Sequence, residues 1–352
     1  MVLTDKTILI TGGTGSLGKT LVRRLLTNEI GRPRKVIVFS RDEAKQHHMR
    51  LAYQNRTVAT DEVIYHNFEE LVEFRIGDVR DVHSVASAVK DADIVFNAAA
   101  LKQVPSCEYF PFEAVQTNVA GPENIVRAIR EHRLPVETVV GVSTDKACKP
   151  VNVMGMTKAL QERVFLSANL SCPDTRFICV RYGNVLASRG SVIPLFHEQI
   201  RAGGPITITT QDMTRFLLSL DDAVNVIFGA VRGAHRGETY IPRVPSAKVT
   251  DIAAILIGDR KLSIKVTGIR PGEKVHEILV SEEEAYRTVS RGPYYCIRSI
   301  LPEVAGKSTE PLALTGEYSS AGSVMPAERL GAFLESHRLL VPEPSEADEL
   351  LR

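Results

Sequence analysis

The sequence predicts an α/β fold, namely a doubly wound parallel sheet followed by a smaller C-terminal lobe. In the first half of the 352-residue chain, short apolar runs rich in β-branched residues alternate with stretches of helical periodicity. In the second half this alternation becomes less regular, and Gly- and Pro-rich stretches such as 201–205 and 240–245 appear. We therefore expect a sheet domain at 1–182, to which the chain returns around 212–240, and a second lobe that holds most of 183–352.

Each predicted strand is followed by glycine or polar residues near its C-terminal end. The strands are expected at 7–11, 35–39, 72–76, 93–96, 138–142 and 176–181. The helices of the first half are expected at 17–26, 43–53, 112–132 and 153–168. Since ligands of open α/β sheets bind at the carboxyl ends of the strands, the residues that follow the strands are the first candidates for a site.

Charge balance and cysteine content exclude several classes of protein. With 43 basic and 42 acidic side chains the formal net charge is +1, so no overall field favours nucleic acid or an anionic membrane surface. The five cysteines are scattered and the histidines form no cluster with carboxylates, which predicts neither a disulfide framework nor a metal site. The sequence shows no signal peptide and no apolar run of about 18 residues, so we expect a cytoplasmic protein without membrane insertion.

A glycine-rich turn, TGGTGSLG at 11–18, follows the first predicted strand directly and opens the first helix. In that context it predicts a dinucleotide-binding turn of the Rossmann type rather than an ordinary Gly-rich loop. Gly12 permits a tight turn, Gly15 lets the backbone approach a pyrophosphate, and Gly18 allows close helix packing. The predicted cofactor contacts here are Gly12, Thr14, Gly15, Ser16, Leu17 and Gly18.

The ends of the later strands supply further predicted cofactor contacts. After the second strand, Ser40 and Arg41, with Lys45 nearby, suit a 2′-phosphate, so NADP is favoured over NAD; alternatively, Arg41 is a surface charge and Asp42 supplies the acid for a ribose. Asp78 is placed to meet the adenine amino group. The remaining predicted contacts are Val79, Ala98, Ala99, Ala100, Lys102 and Ser143.

Several blocks together resemble the extended short-chain dehydrogenase/reductase family. More narrowly, they resemble the bacterial UDP-N-acetylglucosamine 4,6-dehydratases of capsule, O-antigen and flagellin-sugar pathways. The distinctive blocks are AAALKQVP at 98–105, STDKA at 143–147, the stretch 182–196 and RPGEK at 270–274. At 154–158 the chain reads MGMTK, similar to the subgroup in which methionine replaces the tyrosine of a Tyr-x-x-x-Lys pair, and some members of that subgroup invert carbon 5.

The resemblance implies an NADP-dependent dehydration in which the 4-hydroxyl is oxidised, water is lost across carbons 5 and 6, and hydride returns to carbon 6. Elimination needs an acid and a base, and the adjacent Asp145 and Lys146 supply both types. By resemblance, Asp145 protonates the leaving hydroxyl and Lys146 removes the carbon 5 proton. Thr144 would orient the 4-hydroxyl or bridge it to Asp145, and Lys158 would bind the nicotinamide ribose. Which group of the Thr-Asp-Lys run takes the 4-hydroxyl proton stays open. The thioether of Met154 cannot act as a general base.

The second half supplies most of the implied UDP-sugar contacts. They are Asn184, Ser191, Val192, Pro194, Arg215, Arg270 and Glu273, together with Lys102 from the first half. Arg270 matches a diphosphate contact and Glu273 a ribose contact, whereas Arg215 is equally compatible with a structural ion pair. Family members form dimers or hexamers, so the resemblance implies a homo-oligomer. Alternative functions are a retaining dehydratase, a dehydratase of another nucleotide sugar, a nucleotide-sugar 4-epimerase and a non-catalytic NADP sensor.

Overall fold

The computed structural model describes residues 1–54, 62–186 and 191–340. The helices are α1 (Ser16–Leu26), α2 (Glu43–Gln54), α3 (Glu62–Leu71), α4 (Val82–Val89), α5 (Val104–Tyr109), α6 (Pro111–Val115), α7 (Gly121–His132), α8 (Val153–Ser171), α9 (Val192–Arg201), α10 (Leu220–Gly233), α11 (Val249–Ile257), α12 (Glu282–Ala285), α13 (Pro302–Ala305) and α14 (Ala327–Ser336). The strands are β1 (Thr7–Thr11), β2 (Lys35–Ser40), β3 (Val72–Ile76), β4 (Ile94–Asn97), β5 (Thr138–Thr144), β6 (Arg176–Tyr182), β7 (Ile206–Ile208), β8 (Thr214–Phe216), β9 (Thr239–Pro242), β10 (Ser246–Lys248), β11 (Ile264–Val266), β12 (Ile278–Val280), β13 (Thr288–Arg291), β14 (Tyr294–Ile297) and β15 (Tyr318–Ser319).

Within the described residues, a nine-stranded sheet has the order β13-β14-β9-β6-β5-β4-β1-β2-β3. Strands β1 to β6 and β9 run parallel, whereas β14 and β13 add an antiparallel pair at one edge. The strand order reverses between β1 and β4, the point at which doubly wound sheets bind their ligands. The predicted fold class is therefore confirmed, and each predicted strand is present with its ends shifted by at most two residues.

The central strands are apolar runs because both faces of the sheet are covered. All five residues of β1 are buried, as expected of a parallel strand between two helical layers. On one face, Val95 and Val139 pack with Ile125 of α7 and with Phe165 of α8 in a single apolar cluster. Burial of these side chains holds the helices against the sheet and brings the carboxyl ends of β1, β4 and β5 to a common edge.

The predicted helix 112–132 is interrupted. It consists of α6, a π-helical segment Gln116–Ala120 and α7. Pro122 in the first turn of α7 has no N–H to donate to the preceding turn, and the wider π turn accommodates this loss. The interruption matters because Asn118 of the π segment is fully buried and makes side-chain contacts near the strand ends.

The described residues divide into two compact units. The first covers Met1–Tyr182, Leu220–Arg243 and Ile278–Tyr318, and the second covers the described parts of Gly183–Ser219, Val244–Glu277 and Ser319–Arg352.

This division differs from the sequence-based expectation in two places. The return to the sheet begins with α10 rather than at 212, and 278–318 belongs to the first unit rather than to the second lobe. The physical reason is β-pairing: β14 pairs with β9 and β13 pairs with β14, which extends the sheet. The last twelve residues, 341–352, which were also assigned to the second lobe, lie outside the described residues.

The second unit is built from short strands and helices. Strand β7 pairs with β11 in parallel and β8 pairs with β10 in antiparallel orientation. Its core is an apolar cluster in which Phe196 of α9, Ile252 of α11 and Leu330 of α14 are fully buried. Among the described residues, no helix is both long and apolar enough to cross a membrane.

Candidate active site

The glycine turn after β1 packs directly against the backbone that follows β4. Gly12 has φ +65°, and a Cβ at this position would lie 2.8 Å from the Cα and N of Ala99. The Thr11 hydroxyl reinforces the contact by hydrogen bonding to the Asn97 side chain at 2.7 Å and accepting from the Ala99 N–H at 3.2 Å. Two strand ends at the switch point are thus held backbone to backbone, which explains why glycine and alanines occupy these positions.

The N-terminus of α1 is open to an anion. Gly15 is the N-cap and is exposed, and a Cβ there would meet a single described atom within 4 Å, the Gly12 carbonyl oxygen at 3.2 Å. Gly18 is fixed by packing, since an added Cβ would collide with the Gly13 backbone. The first turn of α1 holds no acidic residue, so its free N–H groups and helix dipole favour a negatively charged ligand. Thr14 is buried, whereas Ser16 is exposed and Leu17 half-buried beside that terminus.

The residues at and just after the end of β2 differ in how freely their side chains can reach a ligand. The Ser40 hydroxyl is buried and accepts a hydrogen bond from the Gln46 amide at 3.1 Å. Lys45 forms an ion pair with Asp42. The Arg41 side chain is 57% exposed, and its guanidinium lies 3.8 Å from an oxygen of Asp78. Arg41 is therefore the cation of this set with the most freedom to bind a phosphate.

Asp78 lines a cavity of 370 Å³ together with Arg80, Asp81, Gln116 and Ala120. Burial alone would raise the pKa of Asp78, but hydrogen bonds from Arg80 outweigh it and hold the pKa below its usual value. The carboxylate is thus ionised and can accept a hydrogen bond from a ligand amino group.

Val79, beside Asp78, is buried. Its side chain packs against Gly121, and its carbonyl accepts a hydrogen bond from the Asn124 amide at 2.9 Å. Val79 therefore contacts α7 through its side chain and through its carbonyl, which fixes the backbone next to Asp78.

Asn118 holds the loop that follows β4. Its amide oxygen accepts from the Leu101 N–H at 2.8 Å, and its amide nitrogen donates to the Leu101 carbonyl at 2.9 Å and to the Thr157 hydroxyl at 3.0 Å. Ala98 and Ala99 are half-buried in this loop, whereas Ala100 and Lys102 are exposed. The π segment therefore ties the β4 loop to α8.

The end of β5 carries three functional groups in contact. A 3-10 turn, Asp145–Ala147, follows the strand. The Thr144 hydroxyl donates to Asp145 Oδ1 at 2.8 Å, and the Lys146 ammonium donates to the same oxygen at 3.1 Å. Asp145 is completely buried, and its Oδ2 is without a hydrogen-bond partner among the described residues. An unsatisfied buried carboxylate oxygen is costly, and it is a strong acceptor for a ligand hydroxyl.

The N-terminus of α8 is seated against this turn. Asn152 caps the helix by accepting from the Gly155 N–H at 2.8 Å. A Cβ on Gly155 would collide with the Lys146 carbonyl oxygen, so only glycine permits this approach. The Met154 side chain points into an apolar cluster with Cys107 and Ala114, where it fills space.

Lys158 and Ser143 make contacts inside the protein. The buried Lys158 ammonium donates to the Val142 carbonyl at 2.6 Å and to the Gln161 amide oxygen. Burial lowers the pKa of Lys158 to about 8, against the opposing influence of Cys179 and Glu162. The Ser143 hydroxyl donates to the Glu162 carboxylate. Both predicted cofactor contacts thus join the end of β5 to α8, and one ammonium N–H of Lys158 has no hydrogen-bond acceptor among the described residues.

In the second unit, Arg215 is engaged by its own surroundings. Its guanidinium donates to the carbonyls of Thr214, Lys274 and Val275 at 2.7 to 3.1 Å, and it lies 3.7 Å from the Glu277 carboxylate. This arrangement corresponds to the structural ion pair that the sequence left open. Arg215 connects β8 to the segment before β12.

The other predicted substrate contacts of the second unit differ in their exposure. Ser191 is the N-cap of α9 and its buried hydroxyl has no partner among the described residues; Val192 and Pro194 form the first turn of that helix. The Arg270 side chain is 64% exposed and lies 3.9 Å from Glu273, whose Oε2 is buried and unpartnered in the described part of the chain. Asn184 is half-buried.

Comparison with known proteins gives the family. The model of a family described as polysaccharide biosynthesis protein matches residues 8–299, which include the glycine turn and the Thr-Asp-Lys turn. The chain belongs to this family. The resemblance to the extended short-chain dehydrogenase/reductases is thereby confirmed.

Relatives of this polysaccharide biosynthesis family carry two different activity names. A protein of Rickettsia bellii (strain OSU 85-389), 45% identical over 298 residues and covering 83% of both chains, is named UDP-glucose 4-epimerase. A protein of Campylobacter jejuni, 42% identical over 295 residues and covering 83% of this chain and 82% of its own, is named UDP-N-acetylglucosamine 4,6-dehydratase (inverting). The crystal structure of Pen from Bacillus thuringiensis is similar over 97% of this chain and 100% of its own, with a TM-score of 0.85 and 34% identity.

Several site residues of this family member were not found by sequence reasoning. Asn118 and Gly155 bring the β4 loop and α8 against the strand ends, and Asn97 leaves an unpartnered amide nitrogen beside the glycine turn in the described structure. The available signals were an asparagine inside an apolar helix pattern and a glycine in the first turn of α8. Neither signal specifies its partner, because the partner lies on another element.

Proposed function

We propose that the protein is a nucleotide-sugar 4,6-dehydratase that converts UDP-N-acetylglucosamine into a UDP-2-acetamido-2,6-dideoxy-4-keto-hexose, with inversion at carbon 5, for surface polysaccharide synthesis. The observation that carries the proposal is the buried Asp145, which contacts Thr144 and Lys146 and has one carboxylate oxygen without a partner in the described part of the chain. A phenol is missing from the helix position where the wider family has one, because Met154 stands there. The acid and base of this site must then come from the turn after β5.

A dinucleotide fits the residues at the switch point. Gly12 lets the turn pack against the Ala99 backbone, the exposed Gly15 leaves the approach to α1 open, and the α1 N-terminus offers its first-turn N–H groups to a pyrophosphate. The exposed Arg41 favours NADP over NAD, since its guanidinium can pair with a 2′-phosphate. Bound NADP would supply the redox chemistry that the side chains lack, by taking hydride from carbon 4 and returning it to carbon 6. Mass spectrometry of the cofactor released from the purified protein tests this choice.

The turn residues would divide the proton transfers. The 4-hydroxyl proton passes through Thr144 to Asp145, which then delivers it to the departing 6-hydroxyl as water leaves. Lys146 first releases its ammonium proton to solvent; as the neutral amine it removes the carbon 5 proton, which the neighbouring ketone makes acidic, and carbon 5 regains a proton when hydride arrives at carbon 6. The sum is loss of one water with no net oxidation, so no external oxidant is needed. Burial of Asp145 supports this role, because a dry site strengthens its hydrogen bonds to substrate.

Incubation with UDP-N-acetylglucosamine in heavy water tests the proposal. Mass spectrometry should show net loss of one water, and proton NMR should show a new methyl signal with deuterium at carbon 5. The configuration at carbon 5 distinguishes the inverting from the retaining reaction. A product of unchanged mass would overturn dehydration.

A 4-epimerase is the second candidate, because the Rickettsia relative at 45% identity carries that name. Epimerisation only requires oxidation and reduction at carbon 4 and no acid for a leaving hydroxyl. UDP-glucose should then be converted to a product of the same mass with a changed anomeric pattern. Asp145→Asn separates the candidates, since it removes the acid that dehydration needs.

The same proposal places the reaction in the cytoplasm and the enzyme in a homo-oligomer, either a dimer or a hexamer. All five cysteines are free and buried, which suits a reducing compartment. Size-exclusion chromatography with light scattering distinguishes the oligomers, and a monomeric mass would contradict this part of the proposal.

A further inference from the structure

The turn that carries Asp145 and Lys146 lies between two buried polar side chains. Ser143 precedes it, and its hydroxyl donates to Glu162 on α8. Cys148 follows it, and its thiol donates to Glu284 on α12 at 3.6 Å. Each end of the turn is therefore tied to a different buried carboxylate.

One guanidinium joins these two carboxylates. Arg181 on β6 is 3% exposed and donates to Glu162 through Nε and Nη2 at 3.0 and 2.6 Å. It donates to Glu284 through Nη1 and Nη2 at 2.7 and 3.0 Å, and to the Leu279 carbonyl at 2.9 Å. These contacts use all five N–H groups of an arginine, and a lysine has only three to offer.

Arg181 and Glu284 stay charged in the neutral range. Burial alone would lower the pKa of Arg181, but Glu162 and Glu284 outweigh it and raise that pKa. Burial alone would raise the pKa of Glu284, but the charge and hydrogen bonds of Arg181 lower it to about 2. The contact from Cys148 to Glu284 therefore keeps an ionised acceptor at neutral pH.

We propose that Arg181 is a positioning residue for the reaction. Through Glu162 and Glu284 it holds Ser143 and Cys148, and thereby the Asp145–Ala147 turn, in the geometry that proton transfer requires. This inference rests on the proposed function. A buried ion cluster is a poor source of stability compared with apolar packing of the same volume. The cluster instead contributes geometry. Because the guanidinium of Arg181 is planar and rigid, its hydrogen bonds fix the positions of α8 and α12 relative to the end of β5.

The opposite end of the same strand pair supplies a matched control. Arg176 at the start of β6 donates to the Thr138 hydroxyl at the start of β5, at 3.1 and 3.3 Å, and to the carbonyls of Val231 and Ala234. Thr138 is as buried as Ser143 but lies at the edge of the sheet away from the site. Thr138→Val therefore removes a comparable contact without touching the turn.

The test uses the full chain with its cofactor and the variants Ser143→Ala, Cys148→Ala, Arg181→Lys and Thr138→Val. We expect Ser143→Ala and Cys148→Ala each to lower kcat about tenfold and Arg181→Lys about a hundredfold, with KM for UDP-N-acetylglucosamine within about twofold of wild type.

The backbone amides of residues 144–148 should exchange faster with deuterium in all three variants. Thr138→Val should lower the melting temperature as much as Ser143→Ala while its kcat stays within about twofold of wild type. Bound NADP is measured in each, so that cofactor loss is not mistaken for misplacement.

The outcomes separate this inference from the proposed function. If wild-type protein fails to dehydrate the sugar, the proposed function falls, and the deuterium exchange of 144–148 still decides whether the turn is anchored. Wild-type exchange in both Ser143→Ala and Cys148→Ala overturns the inference, as does an equal loss of kcat in Thr138→Val. If Arg181→Lys does not fold, the inference is tested by Ser143→Ala and Cys148→Ala, each of which removes one of the two contacts that hold the turn.

Discussion

The turns after β1 and β5 lie at the same edge of one sheet, yet different parts of the chain hold them. The β1 turn is held by backbone packing, because an added Cβ at Gly12 would come within 2.8 Å of Ala99. The β5 turn is held by side chains, since Thr144 and Lys146 converge on one oxygen of Asp145. Both turns exclude an added atom at a glycine contact, since a Cβ on Gly155 would collide with the Lys146 carbonyl oxygen, but the β5 turn depends on its side-chain donors as well. The β1 turn therefore suits a ligand that stays bound, such as a cofactor, and the β5 turn suits proton transfer by side chains.

The largest expected effect is that of Asp145→Asn in the β5 turn. The amide keeps the shape and can accept the bonds from Thr144 and Lys146, but it cannot deliver a proton. We expect kcat to fall about a thousandfold, equivalent to about 4 kcal/mol, with little change in melting temperature. Steady-state kinetics and thermal unfolding measure the two quantities. Asp174→Asn, at an exposed loop position, is the control, and equal kcat values for the two variants would remove Asp145 from the mechanism.

Gly12→Ala tests the β1 turn. The residue has φ +65° and faces the Ala99 backbone, so a methyl group there adds both conformational strain and a collision. We expect a loss of about 3 kcal/mol in the free energy of unfolding and loss of bound cofactor. Gly331→Ala in α14, where no described atom lies within 4 Å of an added Cβ, should be neutral or slightly stabilising. Equal effects of the two substitutions in urea unfolding would show that the close approach at Gly12 is not needed.

Lys158→Met tests the electrostatics behind the β5 turn. Burial lowers the pKa of Lys158 to about 8 from 10.5, so between these values the unfolded chain binds more protons than the folded one. Stability from this residue therefore rises with pH across that window. We expect wild type to gain about 2 kcal/mol over Lys158→Met between pH 7 and pH 10. Urea unfolding of both proteins at both pH values provides the measurement, and a constant difference would contradict the lowered pKa.

The smallest expected effect distinguishes two cations near the β1 turn. Arg41→Ala should weaken NADP binding about tenfold and leave NAD binding unchanged, because it removes the partner of a 2′-phosphate. Lys45→Ala should change NADP binding by less than about twofold, because Lys45 is paired with Asp42. Titration calorimetry with both cofactors checks this. A larger loss for Lys45→Ala than for Arg41→Ala would reverse the assignment.

Sequence reasoning predicted the features that depend on local pattern. The six strands and the glycine turn follow from apolar runs and from glycines at fixed offsets, which neighbouring residues determine. The pairing of the β13–β14 hairpin with the sheet was not predicted, because its partner, β9, lies about 50 residues earlier in the chain. The Arg181 to Glu284 bond joins residues 103 positions apart, so no short window of sequence contains it.

The free oxygen of Asp145 has a consequence for the resting enzyme. Among the described residues this oxygen is a strong acceptor that is buried without a donor, and a ligand hydroxyl that reaches it would satisfy it. Ligand binding and folding are therefore thermodynamically linked at this atom, since a ligand that binds only the folded state raises its apparent stability. A ligand hydroxyl that donates to Asp145 Oδ2 should therefore raise the melting temperature, because the bound ligand completes the hydrogen bonding of the folded chain.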